Sequence, residues 1–133
     1  IAEHPAFANA RGMLKYLRKH PVPRVTVAGG FAKMAKLSQG LADLHSRAGE
    51  VDLDHLARLA AQAGGGPNLC ARIVGANSGL HALELSQGEG VDLPGAVAEE
   101  ALGVVRRILR GAPIAADVAV FDRHGRLLAV AGV

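Results

Sequence analysis

The stretch RVTVAGGFAKMAKL, residues 24–37, decides the fold. Val25, Thr26 and Val27 are β-branched and suit a pleated, half-buried surface. Arg24–Ala28 therefore reads as a strand, with Val25–Ala28 expected in the interior of a sheet. Gly29 and Gly30 follow as a turn at its carboxyl end, and a helix begins near Phe31. A strand, a glycine pair and a helix in that order are the mark of an α/β domain.

Upstream, Phe7, Ala10, Met13, Leu14 and Leu17 recur at helical spacing, which predicts a helix over residues 6–19. His20, Pro21 and Pro23 end it. Downstream, Asp52 is placed to cap a helix with the stripe Leu53, Leu56, Leu59 and Ala63, and Asp54 to pair with Arg58 one turn on. Gly64, Gly65, Gly66 and Pro67 terminate it. Residues 68–75 fit a short helix or a strand equally. Ser78 is a cap for a helix to about Gln87. Asp92 caps the longest helix, from about Leu93 to Arg110. That helix turns Val97, Ala101, Val104, Val105 and Ile108 inward and carries Arg106, Arg107 and Arg110 near its negative end. Ala116–Phe121 and Leu127–Val130 read as strands joined by the turn Asp122-Arg123-His124-Gly125, with Gly125 where positive φ is needed. The expected architecture is a single α/β domain over residues 1–133. It has a small mixed sheet with a C-terminal β-hairpin, and about five helices.

The 133 residues suit one domain, and 50% hydrophobic against 20% charged residues suits a packed core. No apolar run approaches the roughly 18 residues of a membrane helix, so no membrane association is expected. The chain opens at Ile1 without a signal-peptide pattern and reads as a fragment. Cys70 is the only cysteine, which excludes an internal disulfide and a Cys-rich zinc site and fits a cytoplasmic protein. Set among Leu69, Ala71 and Ile73, it reads as a buried thiol rather than a nucleophile.

Charge is uneven. Residues 1–47 hold eight basic residues (Arg11, Lys15, Arg18, Lys19, Arg24, Lys33, Lys36, Arg47) and only two acids, Glu3 and Asp43. This third carries +6 and the remainder −3, within a total of +3. Such a bias points to an anionic ligand or partner. RNA is one such partner. The scarcity of aromatics (Phe7, Tyr16, Phe31 and Phe121) argues against nucleic acid, whose single strands need stacking platforms.

No GxGxxG, Walker loop, HExxH or GxSxG is present. Gly29 and Gly30 either admit a ligand to a helix N-terminus or simply form a tight turn. Lys33 and Lys36 share a helix face after the carboxyl end of a strand, where α/β sheets bind ligands. They suit carboxylates or phosphates, or else only face water. Asp43, His45, Ser46 and Arg47 form a compact polar cluster, open to an acid–base reading or to that of a polar loop. Adjacent residues do not face one another on a helix, so the cluster is not a triad. His4, His20, His55, His81 and His124 are dispersed, and no metal site is expected.

The stretch VTVAGGFAKMAKLSQGLADLHSRAGEVDLDHLA, residues 25–57, resembles the C-terminal part of the CbiD family, the cobalt-precorrin-5B C(1)-methyltransferases. The resemblance runs through the glycine pair, Lys33, Lys36, Leu37, Gly40, Asp43, Leu44, His45 and Ser46. GANSGLHALEL at 75–85 and VAVFDRHGRLLA at 118–129 are similar to later family segments, and Asn9 and Gly12 to an earlier one. Ser78 stands where the family has threonine, which keeps the hydroxyl. Family members are much longer, so an N-terminal domain of the same chain is implied as a partner. The resemblance implies methyl transfer from S-adenosylmethionine to C(1) of an anionic cobalt-corrinoid in anaerobic cobalamin synthesis. The methyl donor is held mainly outside this fragment, which by itself is expected to be inactive. His45 and Ser46 are read as catalytic residues lining the corrinoid site, with His45 the proton handler, because they follow the lysine helix within the most specific block of the resemblance and Gly40 lets the chain turn back; the alternative is that Ser46 or Asp43 caps a turn and His45 faces water. Gly29, Gly30, Lys33, Lys36, Asp43 and Arg47 would contact substrate. Whether the chain forms homo-oligomers is left open.

Overall fold

The computed structural model describes residues 10–40 and 51–132. In order, the elements are α1 (Ala10–Lys19), β1 (Arg24–Gly30), α2 (Phe31–Ser38), α3 (Leu53–Gln62), α4 (Pro67–Val74), α5 (Gly79–Gly88), α6 (Leu93–Ile108), β2 (Ala115–Phe121) and β3 (Leu127–Ala131). The three strands form one mixed sheet in the order β1-β2-β3. β1 and β2 run parallel, in register from Arg24 opposite Ala115 to Gly30 opposite Phe121. β2 and β3 are the antiparallel hairpin. The connection from β1 to β2 carries α2 to α6, which places five helices between two adjacent strands.

The core lies between sheet and helices. Val27, Val118, Val120 and Ala131 bury one sheet face against α6, which contributes Val97, Ala101, Val104 and Val105. α2 packs beside α6 through Phe31, Met34 and Ala35, and α3 adds Leu56, Leu59 and Ala60. No helix among the described residues is long and apolar enough to cross a membrane.

Local signals place most boundaries. Asp52, Ser78 and Asp92 each accept a hydrogen bond from the amide three residues on, so each caps its helix. After α3 the Gly65 amide reaches Ala60 O at 2.8 Å and the Gly64 amide reaches Ala61 O at 3.1 Å. With Gly64 at φ +100°, this is a Schellman ending.

Four expectations are corrected. The domain has six helices among the described residues rather than about five, because residues 67–74 form α4. Pro67 occupies its first turn, and Leu69 and Ile73, one turn apart, are fully buried where α4 meets α3. The glycine pair is not a turn: Gly29 and Gly30 are the last rungs of β1, opposite Val120 and Phe121. Neither has positive φ. β1 is also not interior. Among the described residues the central strand is β2, which takes β1 on one side and its own hairpin partner on the other. Arg58, finally, meets His55 Nδ1 at 3.3 Å rather than Asp54.

Candidate functional site

α2 begins directly where β1 ends. Gly30 is its N-cap, in extended conformation (φ −68°, ψ 162°), and no side chain caps the first turn. A Cβ at Gly30 would meet nothing within 4 Å. The first turn thus has no side-chain cap, and the space beside Gly30 is open at the positive end of the helix dipole. Gly29 is different: a Cβ there would lie 3.2 Å from Met34 Sδ and 3.4 Å from Lys33 Cδ. Its lack of a side chain lets Lys33 and Met34 fold back over the strand end. Lys33 is exposed and Lys36, one turn on, is half-buried.

The parallel register brings a second group of residues to this end of the sheet. Gly30 lies opposite Phe121, so the hairpin turn Asp122–Gly125 leaves β2 beside the start of α2. Asp122 holds the turn. Its carboxylate accepts from the Arg126 amide at 2.9 Å and the His124 amide at 2.8 Å, and Gly125 sits at φ +82°. These amides, Arg126 first, hold the Asp122 carboxyl below its ordinary range. Arg123, His124 and Arg126 are exposed on the turn. The sequence reading of Asp122–Gly125 as the turn is correct, but it missed that the turn and the adjoining Arg126 add cations to the end of the sheet that carries Lys33.

At the other end, α2 is locked. Gly40 takes φ +89°, so the chain turns sharply after the helix. Gln39 Oε1 accepts from the Asp52 amide at 2.8 Å, joining the two flanks of residues 41–50. Behind that contact, buried Ser38 and His55 meet, Oγ to Nε2, at 3.1 Å. Ser38 Oγ donates to Ala35 O at 2.6 Å, so its lone pairs are free to accept from His55 Nε2–H. The Arg58 guanidinium lies on Nδ1, which leaves that nitrogen as acceptor. All contacts are satisfied together by the neutral Nε2–H tautomer. Burial, and then the Arg58 charge, lower the His55 pKa from 6.5 against smaller opposing effects of Glu100 and Asp52. In the sequence His55 is one of several scattered histidines. Its position on the inner side of α3, one residue before Leu56, was the only available signal.

Of the residues singled out from sequence, Gly29, Gly30, Lys33 and Lys36 come together at the β1–α2 junction. Asp43, His45, Ser46 and Arg47 lie outside the described residues. Cys70 is half-buried, with Sγ 3.5 Å from Ala57 O.

The fold and this junction define an α/β domain whose sheet end gathers glycine backbone and cations. Residues 43–132 match the family model described as "CbiD, C-terminal domain". The chain belongs to that family. Its relatives include proteins named cobalt-precorrin-5B C(1)-methyltransferase. The one from Agrobacterium fabrum is 53% identical over 87% of this chain and 31% of its own length. That from Bradyrhizobium sp. is 56% identical over 90% of this chain and 32% of its own length. That from Brucella ovis is 47% identical over 90% of this chain and 33% of its own length. The chain thus spans about a third of the length of the curated relatives it matches. No solved structure matches it significantly.

Proposed function

We propose that this chain is the C-terminal domain of a methyltransferase that converts cobalt-precorrin-5B to cobalt-precorrin-6A by methylating C(1), within cytoplasmic cobalamin biosynthesis. The observation that carries this is the identity of 47–56% over about nine-tenths of the chain to proteins named for that reaction. The domain's part is to hold the substrate's carboxylates. Lys33 and Lys36 supply charge, the uncapped start of α2 supplies amides, and Gly29 and Gly30 allow close approach.

S-adenosylmethionine does not fit this sheet end. Its sulfonium is cationic, and so are the surroundings. The two aspartates of β2 and its turn are engaged, Asp117 by Arg24 and Asp122 by the turn amides. The methyl donor is therefore assigned away from this sheet end, mainly to residues outside this chain. Methyl transfer to carbon needs the reactants aligned more than it needs covalent catalysis. Asp43 and Arg47 add substrate contacts, Ser46 lines the site, and His45 handles a proton. Support for that assignment is that the segment carrying them is tied at both flanks to the Lys36 end of α2.

The test is transfer of labelled methyl from S-adenosylmethionine to cobalt-precorrin-5B by the full-length protein. Turnover is expected, with this chain alone inactive. A full-length protein that binds the corrinoid no better than a neutral macrocycle overturns the reading.

A further inference from the structure

The sheet has two faces of opposite character. One carries Val27, Val118, Val120 and Ala131 and is buried under the helices. The register puts a different set on the other: Thr26 beside Asp117, then Ala28, Ala119 and Val130 in one row, then Gly30, Phe121 and Leu127. α6, the helix that chiefly meets the sheet, lies on the other face; here Thr26, Val130 and Leu127 are exposed and Ala28, Ala119 and Phe121 half-buried, and only Asp117 is buried, paired with Arg24. Val130 and Leu127 are 46% and 56% exposed, and they are two of only five large apolar side chains so exposed among the described residues. The face carries no net charge, because its acid, Asp117, is paired with Arg24. A solvated sheet face alternates to polar residues, and this one does not.

We infer that this open face is the surface on which the remaining two-thirds of the full-length protein docks. Apolar area of this kind is retained where something covers it. The chain spans only 31–33% of its relatives' length, so most of each relative lies outside this domain. β1 adds to the fit: among the described residues it has a strand neighbour on one side only, so the same partner can abut the sheet edge. The inference rests on the reading of the chain as a C-terminal domain.

Hydroxyl-radical footprinting of the full-length protein tests it by comparing like with like. Val130 and Val74 are similarly exposed in this domain, at 46% and 50%, and Leu127 is more exposed than Leu80, at 56% against 38%. Docking predicts that Val130 reacts several-fold more slowly than Val74, and Leu127 several-fold more slowly than Leu80. Equal reactivity within the pairs overturns the inference. So does protection that fades on dilution, which assigns the face to a second copy of the chain. Methyl-transfer activity is read separately. An active enzyme with unprotected Val130 rejects the docking face alone, and protection without activity rejects the proposed reaction alone.

Discussion

The two ends of α2 are built for opposite purposes, although the helix has only eight residues. Its first turn has a glycine for a cap, no side chain over its amides and open space beyond. Its last turn is closed by the Ser38–His55–Arg58 chain and by Gln39 on the Asp52 amide. The difference teaches that the open end can afford unsatisfied amides because the other end is pinned. A short helix frays unless packing holds it. Here a buried polar network fixes the helix and so fixes where Lys33 and Lys36 stand.

Five predictions break or sharpen that contrast. The largest effect is expected from the segment carried between the flanks at the closed end. His45→Gln in the full-length enzyme should lower kcat by roughly 10²–10⁴ if His45 moves a proton in the reaction. A raised KM with kcat kept would instead mark it as a positioning residue.

At the open end, Lys33→Ala and Lys36→Ala should each weaken corrinoid binding by about 1.5–3 kcal/mol, the worth of a charge-assisted contact. The loss should shrink at high salt, since screening already weakens the native contact. Titration calorimetry of the full-length enzyme measures both, and thermal melting should show unchanged stability. Unchanged affinity would leave two solvated lysines.

At the closed end, Ser38→Ala strands the buried His55 Nε2–H. It should cost about 1–3 kcal/mol of stability, read by urea denaturation. Substrate affinity should fall with it only as far as α2 loosens.

The same contact sets a pH dependence. Folding lowers the His55 pKa from 6.5, so the unfolded chain binds the extra proton first. Stability is then full above that value and declines as pH falls through it, by up to about 1.4 kcal/mol per pH unit. Melting temperatures between about pH 7.5 and about pH 5.5 should fall in the native protein and flatten in His55→Gln. Asp122, whose pKa is lowered from 3.8, acts only in a more acidic window. A slope that persists in His55→Gln would assign the effect elsewhere.

The smallest effects separate the two glycines. Gly29→Ala puts a Cβ 3.2 Å from Met34 Sδ and should cost about 1 kcal/mol as the core gives way. Gly30→Ala enters open space and should change stability by less than about 0.5 kcal/mol. Any loss of corrinoid affinity in Gly30→Ala then reports backbone contact with the ligand.

Much of the fold was legible in the residues themselves. Asp52, Ser78 and Asp92 announce three helix starts because a cap bonds an amide only three residues away. Asp122 and Gly125 announce the hairpin for the same local reason. The residues place the β1–α2 junction correctly, but by themselves they read as a turn where the strand continues through the glycines. Whether a strand continues through Gly29 and Gly30 depends on a partner, and Val120 and Phe121 are 91 residues away. α4 was undecidable because Leu69 and Ile73 share a face in a helix and in a strand alike. Only the groove of α3 chooses between them.

The sequence by itself determined the class of fold, the caps, the hairpin, the cationic pair on α2 and the family to which the chain belongs. Each of these depends on residues within a few positions of one another or on the order of residues along the chain. Only the tertiary structure decided that β2 is central and that the hairpin turn stands beside the start of α2. It alone decided that His55 closes on Ser38 and that Thr26, Leu127 and Val130 stand exposed together on one face of the sheet. Those outcomes come from pairing and packing between distant segments, whose register no local preference specifies.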